Sequence, residues 1–217
     1  MKIESFLSVV GFLFVSGFLA QAQGASPLNV VLIVADDLGA HDLKTHGSDL
    51  HETPNLDGFA ASGIEFTRAY AAAPICTPTR ASIMTGKNPA RLHMTIWSEH
   101  ALRGPKLHKP MIPADSEGNL PLEEITLAER FKDAGYHTFH VGKWHLGEAT
   151  FYPEVHGFDV NIGGHHWGAP PTFFAPYKGV VYNEMRYVPS LHGSKEGEYL
   201  PDRLTTEAIK LMKNAGD

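Results

Sequence analysis

A second cysteine is missing from this chain. Its 217 residues carry one, Cys76, so no internal disulfide can form. A basic run, an internal repeat and a low-complexity segment are missing too. The net charge is −6, with the charges scattered, which leaves no electrostatic footprint for nucleic acid or for an anionic membrane surface. The one long apolar run, Phe6 to Ala20, is short for a bilayer span. What the chain does have is the balance of a globular protein: 43% hydrophobic and 19% charged residues. That argues against disorder, and the length suits one large domain or most of one.

The first residues read as a targeting segment. Lys2 gives a weakly positive start, the apolar run follows, and Ala20-Gln21-Ala22 places small residues where a signal peptidase cuts. Residues 1–22 are therefore expected to be a signal peptide, with residues 23–217 the folded portion. No cysteine lies near the cleavage point, so no lipid anchor is available there. The expected location is exported, periplasmic or secreted, with no stable membrane anchor. A lone thiol in an oxidising compartment is either buried and inert or chemically converted.

Strand, helix and strand patterns recur along the chain, so the class is α/β. Val30 to Val34 is a β-branched apolar run expected to be a strand buried on both faces, ending at Asp36-Asp37 and Gly39. A short helix is predicted near Asn55 to Ser62, stopped by Gly63, then a strand at Ile64 to Ala69. Pro78 suits the first turn of a helix over Thr79 to Thr85, with Gly86 as its stop. Residues 97–121 lack periodicity and read as a long surface loop. Thr126 and Glu129 form a T-x-x-E capping box for a helix ending at Gly135, and "YHTFHV" is the next strand. Residues 150–200, rich in Gly, Pro, His and aromatics, are expected to be loops around a pocket. "DRLTTEAIKLMKNAGD" is an amphipathic helix.

Three constellations carry chemistry. At a helix start, Cys76 would face free backbone N–H groups that favour an anion, with Arg80 one turn later on the same face. A cysteine-phosphatase loop is excluded, because only three residues separate Cys76 from Arg80. A buried thiol acting as a small hydrophobe is the plain alternative. Asp36 and Asp37 are adjacent carboxylates that repel unless a cation holds them, and hard oxygens suit Ca²⁺ or Mg²⁺. An acidic turn is the alternative there. Lys143 and His145 lie two apart after a strand, and in an extended segment they point the same way. Lysine offers a point charge and histidine a proton; Trp144 between them is expected to pack inward. His166, in "NIGGHHWGAPP", is a weaker substrate-binding candidate, and Asn161 is expected to shape that loop.

The string Cys76-Thr77-Pro78-Thr79-Arg80, continued by "ASIMTG", closely resembles the signature of the sulfatase family. "GYHTFHVGKWHLG", Gly135 to Gly147, resembles the family's second signature, and "NVVLIVADDLG" its metal-binding start. The resemblance covers residues 28–217. It implies an alkaline-phosphatase-like sandwich, with a central mostly parallel sheet flanked by helices. It implies a hydrolase, a sulfuric ester hydrolase of arylsulfatase type, acting on sulfated carbohydrate or aryl sulfate. A phosphonate or phosphate ester hydrolase of the same superfamily is the alternative.

The resemblance also implies that a maturation enzyme oxidises Cys76 to formylglycine, whose hydrate is the nucleophile. Calcium, or magnesium, is then held by Asp36, Asp37 and residue 76. Arg80 stabilises the oxygens at position 76, while Lys143 and His145 serve the sulfate and its protons. A thiol or a serine lacks the second hydroxyl that releases sulfate, so the lone cysteine reads as a precursor. The family's remaining metal ligands, and a further His and Lys, come from a later segment not found here. Residues 23–217 therefore read as the N-terminal portion of a catalytic domain, incomplete at its C-terminus, and inactive or truncated on its own.

Overall fold

The Thr126-x-x-Glu129 spacing forms the cap it predicts. The Thr126 hydroxyl accepts from the Glu129 amide at 3.2 Å, and the Glu129 carboxylate accepts from the Thr126 amide at 2.7 Å. Two orphan donors at the start of a helix are thereby satisfied. The computed structural model describes residues 28–104, 110–111 and 114–215; the expected signal peptide lies outside them. The chain divides into two compact units, Met1–Glu52 and Thr53–Asp217.

In the first unit the described residues form one short 3₁₀ turn, Lys44–His46. Val30 to Val34 do not form the expected strand, and their side chains are exposed. A parallel strand exists only through hydrogen bonds to neighbouring strands, and among the described residues none pairs with this segment. Asp37 adopts a left-handed φ of 55°, so the backbone turns sharply where the acidic pair sits.

The second unit contains helices α1 (Pro54–Ser62), α2 (Cys76–Thr85), α3 (Ser98–Arg103), α4 (Leu127–Asp133) and α5 (Leu200–Asn214). Strands β1 (Phe139–Val141) and β2 (Val160–Ile162) pair in parallel, with Phe139 opposite Val160. Strands β3 (Lys178–Val181) and β4 (Glu184–Tyr187) form an antiparallel hairpin. Its turn residues Tyr182 and Asn183 both have positive φ, which matches the right-handed twist of the flanking strands. The strand expected at Ile64 to Ala69 is absent.

Helix α2 begins three residues earlier than predicted, at Cys76, so Pro78 is its third residue. The proline is tolerated because the amides of the first turn have no intrahelical acceptor in any case. The first intrahelical donor is Thr79, bonded to the Ile75 carbonyl at 3.2 Å. The expected surface loop at 97–121 contains α3 instead; six residues are too few to show a period in the sequence.

Two apolar clusters organise this unit. Ala81, Leu92, Met94, Leu120, Trp144 and Leu146 form one. Trp144 does pack inward, and its indole donates to the Phe151 carbonyl at 2.8 Å. The second joins Ala175, Tyr177, Leu191 and Leu200, with Ile162 and Leu204 against it. It ties β2 to α5.

Candidate active site

Cys76 is the first residue of α2, half-buried. Burial pushes its thiol up, but contact with His145, the charges of His145 and Lys143, and the Thr77 amide outweigh this. The net pKa lies below that of an ordinary thiol. The residue expected to anchor a nucleophile therefore sits where negative charge is favoured.

The "GKWHLG" segment is not extended at its end. His145 has a φ of 57°, in the left-handed region that is uncommon for residues other than glycine. Here its amide donates to the His165 carbonyl at 3.0 Å, and its own carbonyl accepts from the Thr77 hydroxyl at 2.9 Å. Thr77 is fully buried and also accepts from the Ser98 amide at 3.1 Å. One hydroxyl thus joins the start of α2, the start of α3 and the His145 turn.

Arg80, one turn after Cys76, donates from Nη1 to the Lys143 carbonyl at 2.5 Å. It therefore fixes the backbone of the very segment that carries Lys143. The lysine in turn lies close enough to Cys76 for its charge to act there. Cys76, Arg80, Lys143 and His145 are thus brought together.

His145 is 2% exposed. Its Nε2 lies 2.6 Å from Oε2 of Glu99, a residue that no sequence motif singles out. The other Glu99 oxygen accepts from the Gly168 amide at 3.0 Å. Burial raises the Glu99 carboxyl, yet the His145 bond and charge and the backbone amides bring it down to about 2. Burial lowers His145, yet Cys76 and Glu99 together raise it above an ordinary histidine. The Nδ1 atom of His145 is buried with no hydrogen-bond partner among the described residues.

His165 to Gly168 form the adjoining wall. His165 is buried, and burial, followed by the charges of His166 and His145, lowers it to about 4. The His166 Nδ1 pairs with the Tyr152 hydroxyl at 2.9 Å, and its ring lies 4.4 Å from Trp167. Trp167 carries the Arg186 guanidinium at 5.5 Å from its ring centre. Asn161 shapes this loop as expected, exchanging hydrogen bonds with Gly164 at 2.9 and 3.0 Å.

Asp36 and Asp37 are exposed and lie in the first unit. As a pair of hard anionic oxygen donors they suit a divalent cation such as Ca²⁺ or Mg²⁺. Among the described residues no group of three or more His, Cys, Asp or Glu side chains clusters as a metal site.

A family model described as Sulfatase matches residues 28–217. Arylsulfatase A of Bos taurus is 43% identical over 67% of this chain and 27% of its own length. Human steryl-sulfatase is 39% identical over 66% of this chain and 24% of its own. N-acetylgalactosamine-6-sulfatase of Rattus norvegicus is 40% identical, over 76% and 29% respectively. The chain spans about a quarter of the length of these curated relatives. A crystal structure of Ps i-CgsB in complex with a k-i-k-neocarrahexaose shares 27% identity at a TM-score of 0.62. It is matched over 84% of this chain and 40% of that one. A structure associated with glycosaminoglycan metabolism in Bacteroides thetaiotaomicron, at 24% identity and TM-score 0.55, covers 82% of this chain and 46% of that one. It speaks for the alkaline-phosphatase-like α/β fold alone.

Proposed function

The chain belongs to the sulfatase family, and on that premise we propose that it carries the nucleophile-bearing part of a sulfuric ester hydrolase. The observation that carries this reading is the convergence of four groups. Cys76 stands at the start of α2 with His145 against it, Lys143 within range of its charge, and Arg80 fixing Lys143 from one turn away.

Residue 76 supplies the nucleophile after its conversion to formylglycine, whose hydrate offers one oxygen for attack and a second for release. Asp36 and Asp37 would hold Ca²⁺ or Mg²⁺, which would lower the pKa of an oxygen bound to it. The remaining work falls to the chain's own side chains. His145 holds or moves a proton at the oxygen carried by residue 76. The Lys143 ammonium offsets charge on the sulfate oxygens, and the helix start adds the partial positive charge of its first-turn amides. Arg80 keeps Lys143 in place and adds a second positive charge one turn from the nucleophile.

The substrate proposed is a sulfated carbohydrate. The oligosaccharide bound to Ps i-CgsB supports this. So does the aromatic wall of His166 and Trp167 beside His145, since sugar rings stack on such faces. His166 is proposed to contact the substrate. Export, through the segment 1–22, and conversion by a formylglycine-generating enzyme complete the proposal. Among the described residues no helix is long and apolar enough to cross a membrane.

Two measurements test it. Mass spectrometry of the tryptic peptide carrying residue 76, after expression with a competent maturation system, should show the aldehyde. The complete protein should then hydrolyse aryl sulfate far faster than the matched aryl phosphate. An unmodified thiol, or a preference for phosphate by orders of magnitude, overturns the reading.

A further inference from the structure

We infer that Glu99 is a positioning residue for His145, with Gly168 as the other jaw of the clamp. The inference rests on the reading of His145 as an active-site group. Three observations carry it.

First, the carboxylate is used at both oxygens. Oε2 meets Nε2 of His145 at 2.6 Å, and Oε1 accepts from the Gly168 amide at 3.0 Å. A carboxylate fixed at one oxygen by a backbone amide presents the other in one direction, so the imidazole it meets is aimed as well. Second, position 168 has no room for a side chain. A Cβ there would fall 2.6 Å from Cε1 of His145 and 3.0 Å from each ring nitrogen. The absent side chain lets the backbone come close to the imidazole. Third, the ring has few other restraints. Its Nδ1 is buried with no hydrogen-bond partner among the described residues. With Nε2 given to Glu99, Nδ1 is the nitrogen left to serve residue 76.

The backbone already fixes where His145 starts, through Thr77 and His165. Glu99 and Gly168 fix how its ring is turned and which nitrogen carries the proton. In a neutral ring, a carboxylate acceptor at Nε2 selects the tautomer with hydrogen on Nε2 and a lone pair on Nδ1. Glu99 touches neither nucleophile nor sulfate in this assignment. It acts through the histidine.

The test uses the complete, matured enzyme with Glu99→Leu, Glu99→Gln and Gly168→Ala. Glutamine keeps one oxygen for Nε2 but gives up the second acceptor; leucine keeps bulk and loses both. Leucine should lower kcat about 100-fold with KM within about threefold, and glutamine should recover at least about tenfold of that loss. Alanine at 168 should lower kcat in the same sense by displacing the ring. Equal losses in the leucine and glutamine variants, or a raised KM at unchanged kcat, overturn the assignment. Nitrogen-15 spectra of the imidazoles at alkaline pH give a readout independent of turnover. His145 should be protonated at Nε2 in the parent protein and lose that preference in the leucine variant. An unchanged tautomer overturns the assignment. A parent enzyme inactive on sulfate esters would instead defeat the functional reading, and the tautomer would still decide the role of Glu99.

Discussion

The Thr77 hydroxyl donates to the carbonyl of His145 across 68 residues of sequence, at 2.9 Å. The same oxygen accepts the Ser98 amide. A side chain that in the sequence lies just ahead of the predicted helix therefore holds two other segments against the nucleophile.

Thr77→Val keeps the shape of the side chain and deletes both bonds. It leaves a buried amide and a buried carbonyl without this partner, at about 1–3 kcal/mol for each unsatisfied group. A loss of about 2–4 kcal/mol in urea unfolding is expected. A loss below about 0.5 kcal/mol would show that the bridge is not structural.

The thiol form of the protein should react as an activated cysteine. Because the Cys76 pKa is lowered, alkylation by iodoacetamide should remain fast at pH values where an ordinary thiol has become protonated and slow. His145→Ala removes the contact that favours the thiolate, so its alkylation profile should move to higher pH. Superimposable profiles for the two proteins would contradict the contact.

Stability should fall on mild acidification. Burial, the leading cause, pulls His140 down to about 4 from an ordinary 6.5, and its ring packs edge-on against Trp144 and Phe158 at 5.3 Å. Between these values the unfolded chain binds a proton that the folded one refuses, so folding loses free energy as pH falls from 6.5 toward 4. His140→Phe keeps an aromatic ring and cannot titrate. Its unfolding free energy should depend less steeply on pH over that window, and an unchanged slope would place the acid sensitivity elsewhere.

Two glycines with similar backbone angles should respond differently to alanine. Gly135 has a φ of 87° and open space around the missing Cβ, so Gly135→Ala should cost about 1 kcal/mol of backbone strain. Gly157 has a φ of 92°, but a Cβ there would sit 2.5 Å from the Glu129 amide inside the capping box. Gly157→Ala should cost at least about twice as much in thermal unfolding, and equal costs would rule out the clash.

If Asp36 and Asp37 hold a divalent cation, chelation should abolish turnover by the complete matured enzyme. Calcium should restore it, together with the melting temperature. Asp36→Asn and Asp37→Asn should be inactive and should no longer be stabilised by added calcium. Chelator-resistant activity would remove the metal from the proposal.

Local chemistry was legible in the sequence; remote contacts were not. The capping box, the Gly86 stop and the order Cys76, Pro78, Arg80 all lie within a few residues of the backbone they shape. Glu99 was invisible because its helix has six residues and its partner lies 46 positions away. The alternation that placed Lys143 and His145 on one side assumed an extended chain, and the left-handed φ of His145 breaks it. Val30 to Val34 have the composition of a buried strand, yet composition supplies no neighbour to bond with. The motif strings named the site's members; tertiary hydrogen bonds decided how they are aimed.

The clamp around His145 bears on anyone who would retune the proposed activity. On the proposed reading Trp167 is the natural target for altering which sugar is accepted, and it stands between His166 and Gly168, where a Cβ on the glycine would fall 2.6 Å from Cε1 of the imidazole. Under that reading, specificity and rate share three consecutive residues, His166 to Gly168. A library that randomises that wall will therefore sample reaction speed whenever it samples preference, and its survivors are better ranked by kcat and KM separately than by yield.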